Sequence, residues 1–148
     1  MDLRKQFPRS PRETLAGYVH LPRMLDKCRA TLASTQGEYK YPCPLDQWLL
    51  EFAGIEADQF TATVRDAKDD KAVADWFKKT AEPHSADEIE RWNQAFLNSE
   101  PDTDEKRAYH RGLVNAIDPS RTDITTWVDM LDLDEKRPVP KRTAKTGG

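Results

Sequence analysis

Glycine and cysteine are scarce in this 148-residue chain, which holds six glycines and two cysteines. The glycines are scattered or terminal, so there is no Gly-rich loop of the kind that cradles a phosphate. Two cysteines without a secretory leader predict free thiols in a reducing, cytoplasmic setting, not a disulfide framework. The three histidines, His20, His84 and His110, do not combine with Cys28 or Cys43 into C-x-x-C, H-x-x-x-H or H-E-x-x-H spacing. No metal site and no cofactor are therefore expected. No serine stands in a nucleophile elbow. Long apolar runs are also missing. The first twenty residues are charged and carry no apolar core of a signal peptide, so none is expected. No stretch approaches the roughly 18 apolar residues that a membrane span needs, which argues against a membrane partner. Strand-like alternation is absent, as is any repeat of fixed period.

What is present is polar but foldable. Charged residues make up 33% and hydrophobic residues 37% of the chain, and four Trp, five Phe and four Tyr argue against disorder over most of it. A chain of this length fits one domain and buries roughly 68 to 70% of the surface its unfolded form exposes, without a metal or disulfide staple. The net charge of −3 is unevenly spread. Residues 1–40 hold eight Lys/Arg against four Asp/Glu, residues 41–135 ten against twenty-two, and residues 136–148 five against none. An acidic body repels phosphate backbones and disfavours a nucleic-acid partner. The basic ends keep open a nucleic-acid- or ribosome-associated role through arm and tail.

The apolar spacing predicts an all-α, compact bundle of about six or seven short helices with no sheet. Residues 1–9 form an extended basic arm, 10–134 one helical domain and 135–148 a disordered basic tail. Ser10-Pro11-Arg12-Glu13 reads as a capping box opening a short helix to about Ala16, stopped by Gly17. Leu21, Met24, Leu25, Cys28 and Leu32 make one apolar face of a helix to about Ser34. Arg23, Asp26, Lys27 and Arg29 lie on the opposite side. Pro44 starts a helix whose face is Leu45, Trp48, Leu49 and Phe52. Further helices are expected over about 57–67, 71–80, 86–98, 103–116 and 124–134. In the sixth of the long helices Tyr109, Leu113, Ala116 and Ile117 point inward and His110 outward. Each of Trp48, Trp76, Trp92 and Trp127 falls on the apolar face of a different helix and is assigned to the core.

The stretch Gly37 to Phe52 concentrates the chemistry. Pro42 and Pro44 hold Glu38 to Cys43 extended and force two tyrosines and a cysteine through one rigid corner. Cys43 then sits at a helix N-terminus, a position that favours a thiolate, with His20 as the nearest candidate base. The reading favoured for it is a small residue packed in a tight corner. Arg23, Asp26, Arg29, Glu38, Tyr39, Tyr41 and Asp46 form a mixed polar cluster around it. Arginine forks and tyrosine hydroxyls suit a small anion or polar ligand, and they suit a buried polar network as well. The candidate ligand-binding residues are His20, Arg23, Asp26, Glu38, Tyr39, Tyr41 and Cys43, with no catalytic residue assigned.

The N-terminal wording, Leu21-Pro22-Arg23 with Asp26-Lys27 and Gly37-Glu38-Tyr39 with Pro44-Leu45-Asp46, resembles the domain-of-unknown-function family 5069. The likeness covers about the first 60 residues best. It implies a small helical domain of bacterial origin and carries no activity, cofactor or catalytic residue. The leading functional expectation is a non-enzymatic binding or interaction module, with a protein partner or a small polar ligand. The alternative is a small-ligand-binding protein or enzyme using the corner around Cys43.

Overall fold

The structure, a computed structural model, describes residues 1–141. Its elements are β1 (Thr14–Leu15), β2 (Tyr18–Val19), α1 (Leu21–Leu32), α2 (Pro44–Ala53), α3 (Ala57–Asp66), α4 (Asp70–Thr80), α5 (Ala86–Leu97), α6 (Asp104–Ile117) and α7 (Trp127–Asp134). The fold is predominantly helical, and among the described residues the one departure from an all-helical reading is a two-residue antiparallel hairpin pairing Thr14 with Val19 and Leu15 with Tyr18. This hairpin replaces the short helix expected from Pro11. The capping bonds do form: Ser10 Oγ accepts from Arg12 N–H, and Glu13 accepts from Ser10 N–H. They close a turn, however, because Ala16 and Gly17 both take positive φ, 55° and 87°. That pair is the tight two-residue hairpin turn whose twist matches the strands.

The chain gathers into two compact units, Met1–Asn93 and a second that begins at Gln94. In the first unit α1 packs on the hairpin and on α3, and α3 on α4. Leu21, Met24, Leu25, Cys28, Leu49, Phe60, Val73 and Phe77 lose all solvent exposure. Tyr18 meets Phe77 edge-on with ring centroids 5.0 Å apart, an arrangement worth about 0.5–1.5 kcal/mol beyond area burial. Phe52 lies flat between His84 and Trp92. Of the four tryptophans assigned to the core, Trp92 is buried, while Trp48, Trp76 and Trp127 are half-buried. Leu32, expected on the inner face of α1, is exposed at the helix end.

The arm is pinned. Leu3 is buried and its N–H reaches the Thr35 carbonyl, Pro8 is buried, and residues 3–5 form a turn instead of running extended. In the second unit Val114, Ile124, Met130 and Val139 form the core, with α6 packed on α7. The last helix starts at Trp127, not Ile124, because Thr126 caps it by accepting from Asp129 N–H. Residues 135–141 of the expected tail include the buried Glu135 and Val139. The rest of that expectation, residues 142–148, lies outside the described residues.

Asn93 ties the hairpin down. Its side-chain oxygen accepts from Val19 N–H at 3.1 Å, and its amide donates to the Gly17 carbonyl at 2.9 Å. Asn93→Ala strands a buried backbone donor, so it should cost about 1–3 kcal/mol of unfolding free energy in urea. A loss of under about 0.5 kcal/mol would show that the hairpin holds without this clamp.

Candidate functional site

The polar side of α1 faces inward. Arg23, Asp26 and Lys27, on the side of α1 opposite its apolar face, are 3%, 1% and 4% exposed. Charges at this depth persist only when paired and hydrogen-bonded. The partners come from far along the chain. Asp26 accepts from the backbone N–H of Arg9 and from both Nε and Nη2 of its guanidinium, at 2.8, 3.1 and 3.0 Å. The other fork of Arg9 reaches Asp70 at 2.7 Å, and Arg29 meets the second oxygen of Asp70 at 2.7 Å. Arm, α1 and the N-terminus of α4 are thereby joined. Burial opposes the charge on Arg9, but Asp26 and Asp70 outweigh it and raise its pKa. Burial also pushes the Asp70 carboxyl up, and Arg9 and Arg29 more than reverse this.

A second group lies at the start of α2. Asp46, fully buried, accepts from His20 Nε2 at 2.7 Å, from Lys27 Nζ at 2.8 Å and from the backbone N–H of Cys43 at 2.9 Å. Burial pushes its carboxyl up. Hydrogen bonds from His20 and Lys27, with the lysine's charge, prevail and hold it well below the usual carboxylate range. Lys27 and Asp46 already balance one another, so a third charge would be uncompensated. Burial accordingly lowers the pKa of His20, which donates to Asp46 as a neutral ring. His20 sits at φ 71°, in the left-handed region, where a non-glycine residue costs roughly 1–3 kcal/mol. Its N–H bonds to the Pro11 and Glu13 carbonyls hold it there.

Lys27 Nζ also lies 3.1 Å from Cys43 Sγ. The group on the sulfur is therefore Lys27, where His20 had been expected to act. Cys43 is half-buried at the N-cap of α2, while Cys28 is fully buried, and both are free thiols.

The nominated residues thus divide. His20 and Cys43 share the Asp46 group. Arg23 donates to the Arg9 carbonyl at 3.3 Å and lies 5.6 Å from the centre of the half-buried Tyr39 ring. Asp26 belongs to the Arg9 network. Tyr41 turns the other way, to Thr61 Oγ1 at 2.9 Å, and burial raises its pKa. Glu38 is exposed and makes no hydrogen bond or ion pair among the described residues. Lys27, Arg9 and Asp70 were not nominated. The Arg23–Asp26–Lys27 spacing on α1 and the place of Asp46 in the first turn after Pro44 are the local signals that bear on the group. Pairing across 61 residues, as between Arg9 and Asp70, leaves no local trace. Among the described residues no three His, Cys, Asp or Glu side chains are placed to hold a metal ion.

A second surface emerges on α6. His110 and Val114 face inward, and His110 Nε2 meets the Thr126 carbonyl at 2.8 Å. This turns the expected inner face outward: Tyr109 is 61% and Ile117 43% exposed, Ala116 is exposed and Leu113 is half-buried. The apolar count on α6 could not foresee that a histidine would be drawn in by a carbonyl at the start of the next helix. Gly112 lies on this helix, and among the described residues nothing beyond its own helix backbone comes within 4 Å of where a Cβ would stand.

A family model described as "Domain of unknown function (DUF5069)" matches residues 5–137, and the chain belongs to that family. No curated protein matches the chain. Among the described residues no helix is long and apolar enough to cross a membrane.

The buried Asp46 group makes stability acid-sensitive. The folded pKa of His20 lies below its ordinary 6.5, so the stability it contributes is present above that value and is lost as pH falls toward the folded pKa. Asp46, also depressed, contributes above its ordinary 3.8 and loses that contribution at lower pH still. Urea unfolding at pH 7.5 and pH 5 should show lower stability at pH 5. The slope should shrink in His20→Asn, since asparagine tolerates the left-handed backbone. An unchanged slope in that variant would place the titrating group elsewhere.

Proposed function

We propose that this member of the family is a non-enzymatic interaction module that associates with a second copy of itself through the outer face of α6. The observation that carries the reading is the exposure of Tyr109, Ala116 and Ile117 beside Leu113, residues at core-type helical spacing. Large apolar groups clustered in water mark interaction surfaces. The stripe is also close to palindromic about Leu113, with Tyr109 four residues before it and Ile117 four residues after. Two copies of α6 crossing antiparallel on a two-fold axis would set Tyr109 of each against Ile117 of the other, as a self-complementary interface requires. Gly112 supports close approach. A mid-helix glycine costs roughly 0.5–1 kcal/mol relative to alanine, and among the described residues nothing beyond its own helix backbone fills the space it leaves.

The polar corner supports a catalytic or ligand-binding role less well. Each Asp46 oxygen is engaged by buried donors, and the Arg9, Arg29, Asp26 and Asp70 charges are spent on one another. The two free thiols fit a reducing compartment such as the cytoplasm.

Sedimentation equilibrium of the full chain should show a reversible dimer, and Tyr109→Lys combined with Ile117→Lys should return it to monomer with its helical content intact. Gly112→Ala should raise monomer stability by about 0.5–1 kcal/mol while weakening association. A wild-type chain that stays monomeric at its highest soluble concentration would end the proposal.

A further inference from the structure

Lys27 and Cys43 bring a nitrogen and a sulfur together across the junction of α1 and α2. Nζ and Sγ are 3.1 Å apart. Lys27 is 4% exposed and Asp46 anchors its ammonium on the other side at 2.8 Å, so the nitrogen is held at the sulfur and cannot swing into solvent. Cys43 is half-buried, so a small solute reaches this residue, whereas Cys28 is sealed in the core. A partly exposed sulfur beside a fixed cation is the environment in which thiols meet oxidants. We infer that Cys43 and Lys27 form a peroxide-responsive modification site, in which oxidation of the sulfur is followed by a covalent bond between Sγ of Cys43 and Nζ of Lys27.

The chemistry balances with one equivalent of hydrogen peroxide as oxidant. The sulfur attacks one peroxide oxygen; the S–O bond forms, the O–O bond breaks, and the departing hydroxide takes up the thiol proton as water. The sulfur is oxidised by two electrons to the sulfenic acid, and the peroxide is reduced by the same two. Lys27 then releases its ammonium proton to solvent, and its nitrogen attacks the sulfenyl sulfur. The S–N bond forms, the S–OH bond breaks, and the hydroxyl leaves as water with a second proton from the nitrogen. The product is a sulfenamide, the side-chain counterpart of the cyclic sulfenamides that sulfenic acids form with backbone nitrogen. It ties α1 to the N-cap residue of α2 and removes the Lys27 charge. An external thiol reverses it by attacking the sulfur and expelling the amine.

Peptide mapping of the folded full chain after peroxide treatment, alkylation and digestion without reductant tests this. The expected result is a Lys27–Cys43 linked species about 2 Da lighter than the sum of its parts. Cleavage after Lys27 should be lost, Cys28 should be alkylated normally, and dithiothreitol should restore both Lys27 cleavage and the Cys43 thiol. In Lys27→Arg, which keeps the charge, the link should be absent and dimedone should trap Cys43 as the sulfenic acid. Cys43→Ser should show no link and normal cleavage after Lys27. A Cys28–Cys43 disulfide has the same intact mass but a different map, and finding it would overturn the inference. So would Cys43 oxidised to sulfinic acid in the wild type with Lys27 still cleavable, or a Cys43 that peroxide leaves untouched. The wild-type map decides the matter even if a variant fails to fold.

Discussion

The carboxylate of Asp46 has no exposure to water and yet carries a charge, and the first unit is arranged to make that tolerable. Removing a carboxylate from water costs several kcal/mol even after relaxation, so every lone pair left without a donor would weigh against folding. Three donors converge: the imidazole of His20 after the hairpin, the ammonium of Lys27 in the second turn of α1, and the backbone N–H of Cys43 at the start of α2. The same three contacts fix the hairpin exit, the rotation of α1 about its axis and the entry of α2. The left-handed backbone at His20 fits this reading, since strain of that kind persists only where neighbours over-determine the conformation.

The Arg9 network repeats the logic on the other flank of α1. Asp26 faces a fork and a backbone donor from one residue of the arm, and Asp70 bridges two arginines at the start of α4. Bidentate arginine contacts of this kind add geometry as well as attraction. Their worth lies less in net stability than in register, because a hydrophobic filling of the same volume is often as stable. The arm at Arg9 is thus a structural element of the unit.

The two units distribute their chemistry differently. The first buries Asp46, Asp26 and Lys27 among their partners and leaves Cys43 half-buried. The second hides its apolar residues around Val114 and Ile124 while α6 leaves a tyrosine and an isoleucine in water. Interaction by α6 and modification at Cys43 rest on separate observations, and either stands without the other.

Local chemistry carried far in this chain. Prolines, capping residues and apolar spacing determined that there would be helices and placed most of their ends: Pro44 opened α2 and Gly54 closed it, although Thr103, not the expected Asp102, caps α6. Where local signals competed, tertiary context decided, as at Ala16-Gly17, where a hairpin took the place of a helical turn. Which face of a helix turns inward was a different matter. On α1 both faces are buried, because Arg9, Asp46 and Asp70 arrive to meet the charges. On α6 a histidine displaced the apolar stripe because a carbonyl was waiting for it. Helix formation depends on residues three and four apart, which a sequence displays. The burial of a charge depends on a partner that the chain brings from tens of residues away, and only the folded chain supplies that partner.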